Sequence, residues 1–181
     1  FLNEPAHPQK NFLFSGCTHA DIASAARKLN QHFATRGNNR SVICLATQNR
    51  SILAAAIRAA LADQDLQLLL PYSGSSVVLH EMHQQVPYDT AITDEPLDLP
   101  DGVTQILPDE ISVWPEPAQP PAAGSINLHQ PFLQLFTGGS TGKPKIWPKT
   151  VENLFAEAFF LAEKFNLQPE DRIVATVPPF H

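Results

Sequence analysis

Two continuous apolar runs joined by an alanine-rich segment constrain the fold of this chain more than any other feature. The runs are RSVICLAT, residues 40–47, and LQLLLP, residues 66–71. They lack the polar alternation of a half-exposed strand, so they predict strands that are buried on both faces. The segment between them, NRSILAAAIRAALAD, is rich in alanine and leucine and predicts a helix. Strand, helix and strand in this order favour parallel pairing.

The same alternation continues on both sides of this unit. The segment THADIASAARKLNQHF has apolar residues at helical spacing, and it predicts a helix with Thr18 as N-cap and Asp21 as the acid of a capping box. SGSSVVLHEMHQQV predicts another helix, with a cap supplied by Ser73 to Ser76, and residues 89–94 predict a third short strand. The pattern therefore predicts an α/β fold in which a parallel-rich sheet is flanked by helices.

Residues 95–124 differ from the rest of the chain because they are dense in proline. Proline removes donors from a strand ladder, so we expect a connector that is mostly loop and that belongs to the same domain. One short strand is expected near Val103–Leu107, and Trp114 is expected to fix the connector by packing.

The last part of the chain predicts three more elements. Residues 130–137 predict a strand, and a glycine-rich loop follows it. TVENLFAEAFFLAEKFNL then predicts an amphipathic helix capped by Thr150, and Arg172–Val177 predict a strand. The helix carries phenylalanines that we expect in the core: Phe155, Phe159, Phe160 and Phe165.

Composition excludes several classes of protein. The chain has 181 residues, the size of one ordinary domain, and its 43% hydrophobic content indicates a globular fold. Its net charge is −6, with no basic run, which argues against nucleic-acid binding. No apolar stretch has the length of a membrane span. The two cysteines suggest no disulfide framework, and this usage fits a reducing cytoplasm.

The segment from Thr137 to Lys145 concentrates glycine, hydroxyl and lysine residues between a strand and a predicted helix. Its members are Thr137, Gly138, Gly139, Ser140, Thr141, Gly142, Lys143, Pro144 and Lys145. Glycine permits a tight backbone curl, and successive N–H groups in such a curl bind anions. Hydroxyl donors and lysine charge add to this, so the segment predicts a polyphosphate site.

Two common nucleotide loops do not fit this segment. A Walker A loop needs glycine where Thr137 stands and a hydroxyl residue where Pro144 stands. A G-x-G-x-x-G dinucleotide turn is absent from the sequence. The missing Walker A loop also argues against a kinase-like transferase.

The segment resembles the phosphate loop of adenylate-forming enzymes, which include the acyl-CoA synthetases and luciferases. That loop has the form T-S-G-[ST]-T-G-x-P-K-G, and residues 137–146 match it at eight of ten positions, counting the free one. The departures are Gly138 for the usual serine and Ile146 for the last glycine. The final NLQPEDRIVATVPPFH is similar to a family segment that leads to P-x-x-H, and His181 matches that histidine.

The resemblance implies a function for the full-length enzyme. A carboxylate, from a fatty or aryl acid, attacks the α-phosphate of ATP to form an acyl-adenylate, and CoA or a carrier protein then takes the acyl group. Mg²⁺ shares the phosphate charge. The loop residues Thr137 to Lys143 would bind phosphate, Lys145 would act catalytically on the leaving pyrophosphate, and His181 would lie near the acyl pocket.

The resemblance also implies that residues 1–181 form the N-terminal part of the large AMP-binding domain. We therefore expect negligible synthetase activity from the isolated chain, and self-association through apolar faces of a partial sheet. A second interpretation stays open: a non-catalytic phosphate-binding or interaction module derived from the same family, which the departures Gly138 and Ile146 favour.

The histidines of HEMH, His80 and His83, share a helix face but do not form the H-E-x-x-H motif. No third ligand is close in the sequence, and we expect no metal to bind at this histidine pair.

Overall fold

The computed structural model describes residues 7–13, 16–34, 41–117, 126–139, 142–168 and 170–176. These residues form six strands and five helices. In chain order the elements are α1 (His19–Ala34), β1 (Ser41–Ala46), α2 (Arg50–Ala62), β2 (Leu66–Leu70), α3 (Ser76–Gln85), β3 (Thr90–Thr93), β4 (Thr104–Ile106), α4 (Pro108–Val113), β5 (Pro131–Gly139), β6 (Gly142–Thr150) and α5 (Val151–Lys164).

The six strands form one sheet in the order β4-β3-β1-β2-β5-β6. Strands β4, β3, β1, β2 and β5 are parallel to their neighbours, and β6 is antiparallel to β5. The continuous apolar runs form the centre of the sheet, where Ile43 of β1 pairs with Leu68 of β2. The predicted α/β fold with a parallel-rich sheet is confirmed.

Apolar side chains from successive strand residues enter two core clusters on opposite faces of the sheet. Ile43 and Leu45 contribute to a first core cluster with α1 and α2, while Cys44 contributes to a second core cluster with α3. Because the strand is buried on both faces, it has no polar alternation. Cys44 is fully buried, and burial raises the pKa of its thiol far above the usual range.

The capping prediction holds for α1 and fails in part for α3. The Thr18 N–H and hydroxyl donate to Asp21 Oδ2, each at 2.7 Å, and Asp21 N donates back to Thr18 Oγ1 at 3.2 Å. Ser75 occupies the N-cap position of α3, but its side chain accepts no capping hydrogen bond. The Ser73 hydroxyl instead accepts from Ser75 N at 3.4 Å, so it shapes the turn before the helix.

The proline-rich connector is more ordered than the sequence predicts. The expected strand forms as β4, but α4 was not predicted, and the interpretation of the remainder as loop is wrong for those residues. Pro108 suits the first turn of a helix, where its missing N–H costs nothing, and Glu110 Oε1 accepts from Leu107 N at 3.0 Å. Trp114 packs as expected, stacked on His32 with 4.2 Å between ring centroids. The rest of the connector, 118–124, lies outside the described residues.

Strand β6 is the main difference from the sequence analysis. The sequence predicts a loop that leads to a helix over residues 142–150, but these residues form a strand antiparallel to β5. Pro144 and Pro148 are compatible with this strand because β6 lies at the end of the strand order, where one side of the backbone needs no ladder partner. Helix α5 then begins as predicted, with Asn153 N donating to Thr150 Oγ1 at 3.1 Å.

Two predictions for the last segment are wrong. Of the four phenylalanines expected in the core, only Phe155 packs against the first core cluster, while Phe159, Phe160 and Phe165 are exposed. Residues 172–176 form no strand, because no strand among the described residues pairs with them.

Within the described ranges, no helix combines the length and apolar character that crossing a bilayer requires.

Candidate functional site

The parallel strands end at one edge of the sheet, and the β5–β6 hairpin extends from that edge. Parallel strands share their direction, so the residues after Ala46, Leu70 and Thr93 lie at the same edge as the end of β5. In open α/β sheets this carboxyl edge is the usual place for ligands. The glycine-rich segment identified in the sequence therefore lies where a ligand site is expected.

A bulge interrupts the hairpin near its tip. Thr137 pairs with Lys145, and Gly139 pairs with Gly142, so two residues of β6 lie opposite Gly138 alone. The two residues opposite Gly138 are Lys143 and Pro144, and a bulge accommodates the missing N–H of proline. Bulges of this kind redirect the chain and are frequent beside functional sites.

Thr137 and Lys145 are cross-strand partners and therefore project from the same face of the hairpin. Both residues are exposed. The Thr137 hydroxyl donates to the Lys145 carbonyl oxygen at 3.4 Å, a long contact that a stronger acceptor can replace. An ammonium group and a hydroxyl on one exposed face can together bind an oxyanion.

Gly138 lies against the aromatic ring of Tyr72, which follows the end of β2. A Cβ at position 138 would lie 3.1 Å from Tyr72 Cδ2 and 3.3 Å from Cε2. Such separations are shorter than ordinary carbon contacts, which are about 3.5–4.0 Å. A side chain at position 138 would therefore press on the Tyr72 ring, and glycine avoids this contact.

Ile146 has a similar structural explanation. It pairs with Phe136 in the regular part of the hairpin and packs, half-buried, against the second core cluster. An extended, half-buried position suits a β-branched residue. Both departures from the phosphate-loop pattern thus belong to the packing of one face of the hairpin.

The protein-family model described as "AMP-binding enzyme" matches residues 35–181. The chain belongs to the AMP-binding enzyme family. The match includes the whole sheet and the glycine-rich hairpin, which agrees with the family resemblance of the sequence.

A curated CoA ligase is similar in sequence to this chain. Sulfoacetate–CoA ligase from Cupriavidus necator is 32% identical over 130 residues, which cover 70% of this chain and 23% of that protein. The chain thus spans less than a quarter of the length of this curated relative.

Solved structures share the fold. o-Succinylbenzoate CoA synthetase from Bacillus subtilis, in complex with ATP and magnesium ion, has a TM-score of 0.70 at 22% identity, covering 91% of this chain and 45% of the other. A complex of the same enzyme with its acyl-adenylate intermediate has a TM-score of 0.73, with 34% of that chain covered. The nonribosomal peptide synthetase FmoA3 has a TM-score of 0.73 at 17% identity, covering 91% of this chain and 18% of the other.

The predicted site residues of this AMP-binding chain are distributed over the hairpin. Thr137, Gly138 and Gly139 are in β5, and Gly142, Lys143 and Lys145 are in β6. Ser140, Thr141 and His181 lie outside the described residues.

The two histidines of α3 make local contacts. His80 Nδ1 lies 2.8 Å from the Ser76 carbonyl oxygen, and His83 Nε2 lies 3.1 Å from the Tyr88 carbonyl oxygen. Among the residues that the structure describes, no group of three or more His, Cys, Asp or Glu side chains is arranged to hold a metal ion.

Sequence reasoning missed a polar cluster at the same edge of the sheet. The Thr47 hydroxyl hydrogen-bonds to Asp94 Oδ1, and Gln48 N donates to Asp94 Oδ2 at 2.7 Å. Each of Thr47 and Asp94 follows directly after a buried strand, which was the available signal. Both carboxylate oxygens accept hydrogen bonds from the β1 end, so the cluster joins two strand ends.

Proposed function

We propose that this chain supplies the phosphate-binding hairpin of an ATP-dependent acyl-CoA synthetase. The reaction activates a carboxylic acid as its acyl-adenylate and transfers the acyl group to a thiol. The observation that carries the proposal is the pairing of Thr137 with Lys145 on one exposed face, at the tip of a hairpin with the T-x-G-S-T-G-x-P-K pattern.

The proposed reaction has two steps. A carboxylate oxygen of the acid attacks the α-phosphorus of ATP, the bond to the β-phosphate breaks, and pyrophosphate leaves. A thiol sulfur then attacks the acyl carbonyl, loses its proton, and AMP leaves. In the first step charge moves onto the leaving pyrophosphate, so the hairpin acts by electrostatic stabilisation and positioning.

Individual hairpin residues have different roles in this proposal. The Thr137 hydroxyl and the Lys145 ammonium bind phosphate oxygens, with Lys145 neutralising the charge of the leaving group. The segment from Gly138 to Lys143 contributes backbone N–H donors and, at Ser140, Thr141 and Lys143, side-chain donors. His181 contributes to the pocket for the acid.

ATP and Mg²⁺ fit the donor chemistry of the site. The exposed face of Thr137 and Lys145 offers donors and positive charge, as a polyphosphate requires. Mg²⁺ binds phosphate oxygens together with only one or two carboxylates, so it needs no dedicated protein cage. We therefore propose that Mg²⁺ reaches the site with the nucleotide. A fold neighbour that was solved in complex with ATP and magnesium ion supports the use of both.

The substrate and acceptor are proposed from the relatives. The named CoA ligases act on sulfoacetate and o-succinylbenzoate, which supports a carboxylic acid substrate and CoA as acceptor. We propose that the acid is a fatty or aryl acid. A carrier protein is the other acceptor that the peptide-synthetase neighbour supports. Both cysteines are free thiols, which suits the cytoplasmic location that we include in the proposal.

Titration of the chain with inorganic pyrophosphate and with Mg·ATP, followed by calorimetry, tests the proposal. We expect binding by the wild-type chain and at least a tenfold weaker affinity for Lys145→Ala, since about 1.4 kcal/mol corresponds to that factor. Lys10→Ala, at an exposed lysine in another part of the chain, is the matched control. Equal affinities for wild type and Lys145→Ala would contradict the assigned role.

The isolated chain is expected to bind phosphate without catalysing acyl transfer. A hydroxamate assay with Mg·ATP and a panel of acids should give negligible turnover. Robust turnover would show that the 181 residues suffice. Absence of any nucleotide or pyrophosphate affinity, with partner binding retained, would favour the non-catalytic module.

A further inference from the structure

We propose that Tyr72 is a positioning residue of the phosphate hairpin and that it forms a matched pair with Gly138. The inference rests on the proposed function, because it assigns a role in phosphate binding to a residue outside the glycine-rich segment. Tyr72 would not touch the phosphates itself. It would hold the β5 backbone at the bulge, so that Thr137 and Lys145 keep the geometry that binds the anion.

The contact involves one edge of the tyrosine ring. A Cβ at position 138 would lie within 3.5 Å of three consecutive ring carbons, Cγ, Cδ2 and Cε2. Gly138 has no other heavy atom among its three nearest contacts in that direction. The ring therefore restricts a backbone that glycine alone leaves free, much as an aromatic residue on a neighbouring strand stabilises an edge glycine in designed sheets.

Tyr72 is held at both of its ends. Its backbone follows Pro71, which is buried at the end of β2. Its ring packs half-buried against the second core cluster, and its hydroxyl adds only a long hydrogen bond to Glu81 Oε2 of α3 at 3.4 Å. Burial and, after it, the Glu81 carboxylate raise the pKa of the Tyr72 phenol above its ordinary value. The ring is thus a fixed support.

The support acts at the point where the hairpin changes direction. Gly138 is the single β5 residue opposite Lys143 and Pro144 at the bulge. The chain neighbours of Gly138 are Thr137 and Gly139. A shift of the backbone at Gly138 would move the hydroxyl of Thr137 relative to its cross-strand partner Lys145.

The matched pair explains the glycine at a position where adenylate-forming enzymes usually carry serine. A serine at position 138 would bring its Cβ against the Tyr72 ring, and one of the two would have to move. Tyr72 therefore fills the space that a serine side chain at position 138 would occupy. Introducing serine without removing the ring should weaken phosphate binding, although it restores the more common residue.

A double-mutant cycle with inorganic pyrophosphate as the probe tests the pair. We expect Gly138→Ser and Tyr72→Ala each to raise the pyrophosphate Kd about fivefold, while the double variant stays within about twofold of wild type, since residues in contact are not additive. Tyr72→Phe keeps the ring and should bind within about twofold of wild type. Additive losses in the double variant, or unchanged affinity in Gly138→Ser, would overturn the inference.

Thermal unfolding of the same variants separates positioning from loss of stability. Tyr88→Phe is the matched control, because it removes a buried hydrogen bond to the Leu79 carbonyl in the same core cluster. It should lower Tm and leave the pyrophosphate Kd unchanged. A Kd that rises in Tyr88→Phe in proportion to its Tm loss would overturn the positioning role. If the wild-type chain binds neither pyrophosphate nor Mg·ATP, both the proposed function and this inference fail. If wild type binds and the cycle is additive, only the inference fails.

Discussion

The Thr47 hydroxyl donates a hydrogen bond to the Asp94 carboxylate and so joins the carboxyl ends of β1 and β3. The connection continues along the chain, because Asn49 N donates to Thr47 Oγ1 at 3.0 Å. The Asn49 side chain in turn accepts from Ser51 N and Ile52 N at the start of α2. The Asp94 carboxylate, which follows β3, is thereby connected through Thr47 and Asn49 to the start of α2.

Replacing Asp94 should destabilise the fold because Thr47 and the N–H of Gln48 would lose their acceptor. We expect Asp94→Ala to lower the free energy of unfolding by about 2 kcal/mol, within the range for unsatisfied polar groups that donate to a charged acceptor. Asp94→Asn keeps one oxygen acceptor and should cost less. Urea denaturation measures both, with Asp98→Asn at an exposed loop position as control. Equal values for Asp94→Ala and the control would refute this role.

The sequence predicts the central fold well because its signals there are local. The buried strands around Ile43 and Leu68 are continuous apolar runs, and α2 between them is alanine-rich, so propensity and burial agree. The Thr18–Asp21 cap of α1 was also predictable, since both partners lie within one helical turn.

The sequence predicts less where distant parts of the chain decide the structure. Pro144 and Pro148 argue against a strand. β6 nevertheless forms, because it is the outermost described strand and one side of its backbone needs no ladder partner. Gly138 appeared only as a departure from a pattern, since its partner Tyr72 is remote in sequence. Phe159 has the helical spacing of a core residue, but no described element covers it or its neighbour Phe160.

Trp114 should stabilise the connector by packing α4 against α1. Its ring stacks on His32 with an interplanar angle of 7° and contacts the first core cluster. We expect Trp114→Ala to cost about 2 kcal/mol, below the value for a fully buried tryptophan. Trp147→Ala removes a side chain that is 53% exposed and should cost about 0.5 kcal/mol or less. Chemical denaturation compares the two, and similar costs would be inconsistent with the proposed packing.

The exposed apolar residues of α5 should cause the isolated chain to self-associate. Phe159 and Phe160 are 70% and 59% exposed, and Phe165 is 64% exposed on the same helix end. Several large apolar side chains exposed near one helix end promote association. Sedimentation velocity should show concentration-dependent association of the wild-type chain, and Phe159→Ser with Phe160→Ser should shift it toward monomer. Val77→Ser, at an exposed valine on α3, is the control and should not shift it. A monomeric wild-type chain at high concentration would disprove the prediction.

The cap of α1 should make stability depend on pH in the acid range. Hydrogen bonds from the Thr18 backbone and side chain lower the pKa of Asp21 below its ordinary value of 3.8, so folding favours the ionised carboxylate. A group whose pKa is lower in the folded state stabilises above its unfolded pKa, and this contribution is lost as the pH falls through the folded value. The difference in unfolding free energy between wild type and Asp21→Asn should therefore be largest near neutral pH and shrink below about pH 4. Thr18→Ala removes the partner and should cost about 1 kcal/mol near neutral pH. Urea denaturation at a series of pH values measures both effects, and a wild-type to Asp21→Asn difference that stays constant across the series would show that the carboxylate charge does not contribute to the cap.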